Sequence, residues 1–216
     1  MTYLDLHSHS VASDDSRATV EQYVKWVKVL RRKGHQINGF VLTEHRQFDA
    51  ENDYSYMQAE SDVQILKGSE LDTDCGHFLV YGVGEALLKE VNFAEVGLNA
   101  QHLIKCAESL GAIAIPAHPG RFGVGLCEYV ENTDFTNLQV VEHLNGSNRP
   151  GEQERAESLM LINGYSGTGG SDAHVVSAIG SCMTLFDDDI GDEIDLVAAL
   201  KSRKFKAVLL KEALLE

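Results

Sequence analysis

Basic residues are scarce in this chain of 216 residues. Lysine and arginine together number 18, against 33 aspartates and glutamates, which gives a formal net charge of −15. A surface that follows a nucleic-acid backbone needs a stripe of positive charge, so this composition argues against an extended nucleic-acid interface. It does not exclude a small phosphorylated substrate, because bound divalent cations can reverse the local field of an acidic site.

Long apolar runs and cysteine pairs are missing as well. No segment approaches the length that crosses a bilayer, and no basic-then-apolar leader opens the chain. The cysteines form no Cys-x-x-Cys pair and no disulfide-like framework; they are Cys75, Cys106, Cys127 and Cys182. We therefore expect a cytoplasmic protein with reduced thiols and no membrane partner.

No linker or change of composition divides the chain, so we expect one domain that spans residues 1–216. Helical spacing predicts helices around Val27, Ala107, Leu159 and Val197. Short apolar runs predict strands at 3–6, 40–43, 63–66, 78–81, 112–115, 138–141, 183–186 and 207–210, with another that starts at 165. Their alternation favours a parallel α/β arrangement. The longest irregular stretch, 120–136, is interpreted as an active-site loop.

Histidines and carboxylates cluster at the ends of these predicted strands. His7 and His9 stand two residues apart, so both side chains point to the same side of a strand and can chelate one ion. Asp172 and His174 end another strand, whereas His77 begins its own. Further candidates at strand ends are Glu44, His45, Glu70, His118, Glu142 and His143. The pattern indicates a barrel whose strand ends converge on metals.

Several of these residues belong to motifs that occur together in one order. The motifs are Asp5-Leu6-His7-Ser8-His9, Ser13-Asp14, Thr43-Glu44-His45, Gly68-Ser69-Glu70, His77, Pro116-Ala117-His118-Pro119, Glu142 and Ser171-Asp172-Ala173-His174. Over essentially its whole length the chain resembles the PHP (polymerase and histidinol phosphatase) family of metal-dependent phosphoesterases. This resemblance implies a single-domain α/β fold, a distorted (β/α)7 barrel with two or three metals in a cleft. Two positions depart from it, since many relatives carry Asp at Glu44 and Gly at Asp15.

The resemblance also implies how the ligands divide among the metals. One metal would take His7, His9, Glu70 and Asp172. A second would share Glu70 and add His77 and His118, and a third would use Asp14, His45 and His174. Glu142 is interpreted equally well as a ligand or as a partner of one, and His143 as a supporting residue. Mixed nitrogen and oxygen ligands suit Mn²⁺, Fe²⁺ or Zn²⁺ better than Ca²⁺.

A member of this family would hydrolyse a small phosphomonoester with water activated by the metals. We expect Glu70, Asp172 and His174 to be catalytic, and Arg121 to bind the substrate phosphate in two-pronged fashion. Histidinol phosphate, a nucleotide and a sugar phosphate all stay open as substrates.

Three other functions stay open. A dinuclear amidohydrolase also begins with His-x-His, but it typically bridges its metals with a carboxylated lysine, and no lysine ends a predicted strand. A PHP-type nuclease is disfavoured by the acidic composition. A non-catalytic scaffold or regulatory module is disfavoured because buried, unpaired carboxylates are costly without metal.

Overall fold

The computed structural model describes residues 1–130, 135 and 137–214. Its strands are β1 (Thr2–Ser8), β2 (Gly39–His45), β3 (Gln64–Thr73), β4 (Gly76–Tyr81), β5 (Ile113–Pro116), β6 (Val140–Asn145), β7 (Ser166–Gly170), β8 (Cys182–Phe186) and β9 (Phe205–Leu209). Its helices are α1 (Val20–Arg32), α2 (Ser55–Ser61), α3 (Glu85–Glu90), α4 (Ala100–Ser109), α5 (Glu152–Asn163) and α6 (Glu193–Ser202). Of the predicted loop 120–136, residues 131–134 and 136 lie outside the described residues. Among the described residues, no helix has both the length and the apolar character that a membrane span requires.

The strands form a curled sheet of mixed direction. Its order is β5-β4-β3-β2-β1-β8-β9, and β6 and β7 form a separate parallel pair. β1, β2 and β3 run parallel, but β4 is antiparallel to both β3 and β5, and β8 is antiparallel to both β1 and β9. The predicted parallel arrangement is therefore wrong for these pairs. Only Asp74 and Cys75 separate β3 from β4, and so short a connection permits a hairpin but no parallel crossover.

The central strand β1 closes the distorted barrel. Its first residues, Thr2 to Leu4, pair with β8. Near its end, Ser8 pairs with Ala173, and the Asp172 N–H donates a 2.7 Å hydrogen bond to the His7 carbonyl. The segment that follows β7 thus completes the sheet where β8 has diverged from β1.

Apolar side chains fill the barrel and leave one end for the polar cluster. Leu4, Val41 and Leu79 are buried together with Leu196 and Leu200 of α6. Helix α6 therefore closes the end of the barrel where β1 and β2 begin. The candidate ligands lie at the opposite end, where those strands finish.

Candidate metal centre

A β-bulge in β1 turns His7 towards the barrel interior. The register of β1 against β2 slips by one residue between Asp5 and Ser8. Leu6 packs inside the barrel, so strict alternation would point His7 outwards. The extra residue allows Leu6 and His7 both to face inwards, and both are buried.

Four side chains surround one point at the ends of β1 and β3, and we call them the first group. His7 Nε2 lies 3.0 Å from His9 Nε2, 3.2 Å from Glu70 Oε2 and 3.5 Å from Asp172 Oδ1. His9 Nε2 lies 3.3 and 3.4 Å from the same two oxygens. Ligand atoms at zinc-like bond lengths in a tetrahedron would be about 3.4 Å apart. The four residues that the sequence assigns to one metal therefore lie together at suitable separations.

The other oxygen of Glu70 faces a second group, formed with His77 and His118. Glu70 Oε1 lies 2.8 Å from His118 Nε2 and 3.1 Å from His77 Nδ1. His77 begins β4, but β4 is antiparallel to β3, so its start lies beside the end of β3. Glu70 is buried and contacts both groups, as the bridging position requires.

A third group contains His9, His45 and His174, whose rings lie close enough to share an ion. The carboxylate that faces His45 and His174 is that of Asp15, at 3.3 and 3.1 Å from their Nε2 atoms. Asp14, which the sequence analysis placed here, is exposed and makes no ion pair with either histidine among the described residues. Asp15 therefore replaces Asp14 in this group. The sequence did carry a sign of this, because many relatives have glycine at position 15, where this chain has aspartate.

Glu142 supports the ligands from behind. Its Oε1 accepts from His7 Nδ1 at 3.0 Å, and its Oε2 accepts from the backbone N–H of His118 and from Asn145 Nδ2. It therefore orients the ring of one candidate ligand and the backbone of another, which are the contacts of a residue that supports ligands. His143 is half-buried and lies near Glu157 of α5, away from the ligands. Asn145, the last residue of β6, could not be recognised from the sequence, because a single asparagine carries no distinctive spacing.

Asp5 supports the same site from inside the barrel, and sequence reasoning assigned it no role. Its carboxylate accepts backbone hydrogen bonds from Ser171 at 2.8 Å and Gly180 at 2.7 Å. Burial raises the pKa of Asp5 to about 6. The segment that carries Asp172 is thereby tied to β1.

Opposed charges dominate the electrostatics of the centre. Burial by itself would lower the pKa of His7, but the carboxylates of Glu142, Asp172 and Glu70 raise it well above its usual range. Burial would likewise raise the pKa of Glu70, but His7, His118 and His45 hold it well below its usual range. The opposite charges in the centre therefore favour the ionised form of Glu70 and the protonated form of His7, and a buried carboxylate such as Glu70 needs a positive partner.

The donor set and two further observations fit a metal centre. The Nδ1 atoms of His9 and His118 are buried without a hydrogen-bond partner in the described part of the chain. His118 and Asp172 have left-handed backbones, with φ of 28° and 53°. Such conformations cost about 1–3 kcal/mol each and concentrate at functional sites. Divalent cations would offset the carboxylate charge and use the nitrogen donors present.

Arg121 lies at the edge of this centre. Its Nη2 donates to Asp172 Oδ2 at 2.6 Å and to Asn145 Oδ1 at 3.2 Å. A cavity of about 300 Å³ adjoins it, and the lining includes Asp172, His174 and a second arginine, Arg149. Positive charge thus borders a small cavity in an otherwise acidic chain.

Comparisons with known proteins agree with this architecture. Residues 150–205 match the family model PHP_C, which is described as PHP-associated. PsfC from Pseudomonas syringae PB-5123 has a similar structure, with a TM-score of 0.68 and 18% identity over 98% of this chain and 93% of that chain. A second similar structure is a two-domain protein from Bacteroides vulgatus ATCC 8482 that contains a predicted PHP-like metal-dependent phosphoesterase. The match covers 97% of this chain and 65% of the Bacteroides protein, with a TM-score of 0.64 and 18% identity. The chain therefore has the fold of PHP-like proteins, and its C-terminal part matches a PHP-associated family model.

The PHP-family fold is shared with proteins of different activity. The lesion-specific endonuclease PfuEndoQ from Pyrococcus furiosus matches 95% of this chain and 57% of its own, with a TM-score of 0.65 and 15% identity. The chain therefore spans just under two thirds of the Bacteroides protein and little more than half of the endonuclease. No curated protein matches the sequence. At these identities the similarity shows the fold, and the predicted distorted barrel is confirmed.

Proposed function

We propose that the chain is a metal-dependent hydrolase that acts on small phosphomonoesters. The observation that carries this proposal is the position of Glu70, whose two oxygens face two separate groups of nitrogen and oxygen donors. One buried carboxylate shared between two cations is the arrangement that lets them lie close together. The adjoining cavity is near the lower limit for small-molecule sites, and it borders two arginines.

The residues of the centre would have distinct roles. His7, His9, Glu70 and Asp172 would hold one metal, Glu70, His77 and His118 a second, and Asp15, His45 and His174 a third. Bound divalent metals supply Lewis-acid polarisation of the phosphate and a lowered pKa for water. Arg121 would offset charge on the phosphoryl oxygens, and Asp172 fixes its guanidinium in place. His174 is partly exposed at the cavity, where it would take part in catalysis as a ligand of the third cation.

A substrate panel tests the proposal. The chain, loaded separately with Mn²⁺, Fe²⁺ or Zn²⁺, is incubated with histidinol phosphate, nucleoside monophosphates and sugar phosphates. An oligonucleotide and an amide substrate serve as competitors from other hydrolase classes. We expect phosphate release from at least one monoester, and we expect chelation to abolish it. Cleavage of the oligonucleotide or the amide without any monoester turnover would reject the proposed substrate class.

Replacing Arg121 tests its assignment to the substrate phosphate. A hydrogen bond to a charged group contributes about 1.5–3 kcal/mol, so Arg121→Ala should lower kcat/KM by about ten- to a hundredfold. The metal content, measured by elemental analysis, should stay unchanged. Arg121→Lys keeps the positive charge but loses the two-pronged donor geometry of the guanidinium group. It should therefore have a higher kcat/KM than Arg121→Ala and a lower one than the native chain. Wild-type kinetics in the alanine variant would return Arg121 to a structural role beside Asp172.

A further inference from the structure

The second arginine that lines the cavity is Arg149. Arg149 is exposed, and its guanidinium takes part in no ion pair or hydrogen bond within the described residues. Arg121 differs, because its guanidinium is bound to Asp172 at the metal centre. Arg149 interacts electrostatically with the carboxylate of Glu152, but its guanidinium donates no hydrogen bond within the described residues, so its donors are available to an anionic ligand in the cavity.

A buried carboxylate fixes the segments that carry the two arginines. Glu152, at the start of α5, is 2% exposed. Its Oε2 accepts from the backbone N–H of Arg149 at 2.7 Å, and its Oε1 accepts from the backbone N–H of Phe122 at 3.1 Å. Phe122 directly follows Arg121. One side chain thus ties both cavity segments together, which limits how far Arg149 can move from Arg121.

We infer that Arg149 binds a second anionic group of the substrate, a carboxylate or phosphate separate from the reacting phosphate. This inference rests on the proposed function and narrows its substrate class to phosphomonoesters with a charged tail. The metals and Arg121 would already balance the reacting phosphate. Arg149 belongs to a different segment of the chain and borders the same cavity, so it can reach a group further along the molecule. Phe122, 57% exposed, gives the cavity lining an apolar ring for the part between the two anions.

Binding of non-hydrolysable phosphonates tests the inference without requiring turnover. The probes are an alkylphosphonate, the ω-carboxyalkylphosphonate of matched length and the corresponding α,ω-bisphosphonate. Their dissociation constants are measured by calorimetry on the full chain saturated with Mn²⁺, with binding of each probe to free Mn²⁺ subtracted. The variant is Arg149→Gln. The control is Arg32→Gln, which removes the same charge from α1.

We expect at least one doubly anionic probe to bind the native chain about fivefold more tightly than the alkylphosphonate, as a partly exposed ion pair allows. Arg149→Gln should remove that preference and leave alkylphosphonate binding unchanged, whereas Arg32→Gln should keep both. The preferred probe distinguishes a carboxylate from a phosphate as the second anion.

Three results would overturn the inference. The first is that all probes bind the native chain with equal affinity. The second is that Arg149→Gln weakens the affinity for every probe by the same factor. The third is that no phosphonate binds at all. The second would assign Arg149 to the reacting phosphate itself. Failure of the proposed function would look different. The phosphonates would still show a preference that depends on Arg149, but the substrate panel would release no phosphate from any monoester.

Discussion

At the scale of single residues, the carboxylates of the centre differ in what they contact. Glu70 contacts histidines of all three groups, whereas Asp15, within the described residues, forms ion pairs only with His45 and His174. Glu142 contacts the rear nitrogen of His7 rather than the side that faces Glu70. Loss of each carboxylate should therefore have a different effect on metal content.

Glu70→Gln removes the charge that would allow two cations to lie side by side. It should strip metal from the first and second groups and abolish turnover. Asp15→Asn should weaken only the third group, keep the other metals and lower turnover less. Asp14→Asn is the matched control, because Asp14 makes no ion pair with the third-group histidines among the described residues. The assignment of Asp15 fails if Asp14→Asn loses metal, measured by elemental analysis, and Asp15→Asn does not.

Glu142→Gln should lower metal affinity about ten- to a hundredfold, the usual effect of losing a partner that orients a ligand. A glutamine amide cannot accept from His7, His118 and Asn145 together, since one of its two ends is a donor. Metal-competition titration gives the measurement. His143→Gln changes the neighbouring residue, which lies away from the ligands, and should leave the affinity unchanged. Equal affinities in the native chain and Glu142→Gln would contradict this role.

The sequence predicted most individual ligand candidates because strand ends converge, but it could not separate adjacent candidates. Asp14 and Asp15 are neighbours in a turn, and which carboxylate faces His45 depends on the path of that turn. Buried residues that hold the candidate ligands in place, such as Asp5 and Asn145, were missed for a related reason. Their roles come from contacts with residues far along the chain, and local spacing does not report such contacts.

At the scale of elements, the sequence predicted every described strand but not the strand directions or the bulge. Apolar runs show where strands lie, whereas direction depends on connections such as the short turn between β3 and β4. The helices α2 and α3 were missed because they have only seven and six residues, too few to establish a helical repeat. The bulge in β1 changes which side chains face inwards without changing composition.

Close contact between β7 and β1 predicts a severe effect for one small substitution. A methyl group at Gly170 would overlap the Cβ of His7 and lie 2.7 Å from Glu142 Oε1. Gly170→Ala should therefore destabilise the fold by about 1–3 kcal/mol and displace a ligand. Gly84→Ala is the control, since nothing lies within 4 Å of its added methyl group, and it should cost at most about 1 kcal/mol. Denaturant unfolding and metal content measure both effects, and equal stabilities would contradict the contact.

At the scale of the whole molecule, the ligand set joins segments from nearly the full length of the chain. The first group takes residues from β1, from β3 and from the segment after β7. A cation bound by all three links parts of the barrel that otherwise meet through a few hydrogen bonds. Metal binding should therefore contribute to global stability as well as to catalysis.

Chelation should lower the melting temperature of the native chain. A ligand at a hundredfold excess over its Kd stabilises the folded state by about 2.7 kcal/mol, which corresponds to about 5–10 °C for a chain of this size. Differential scanning calorimetry with and without chelator gives the measurement. The same treatment should leave Glu70→Gln nearly unchanged, since that variant holds little metal. A shift of equal size in both proteins would mean that chelation destabilises the fold by another route.

The central position of β1 has a consequence for how the chain is made. Within this stretch of chain, β1 is synthesised before both of its neighbours in the sheet, β2 and β8, which lie on either side of it. The hydrogen bond from Ser171 to Asp5 joins residues 166 positions apart. Until residues 171–186 have emerged, one edge of β1 has no partner strand, and open edges of this kind recruit other chains. That edge of β1 therefore stays open to other chains while the residues between β1 and residue 171 are being made.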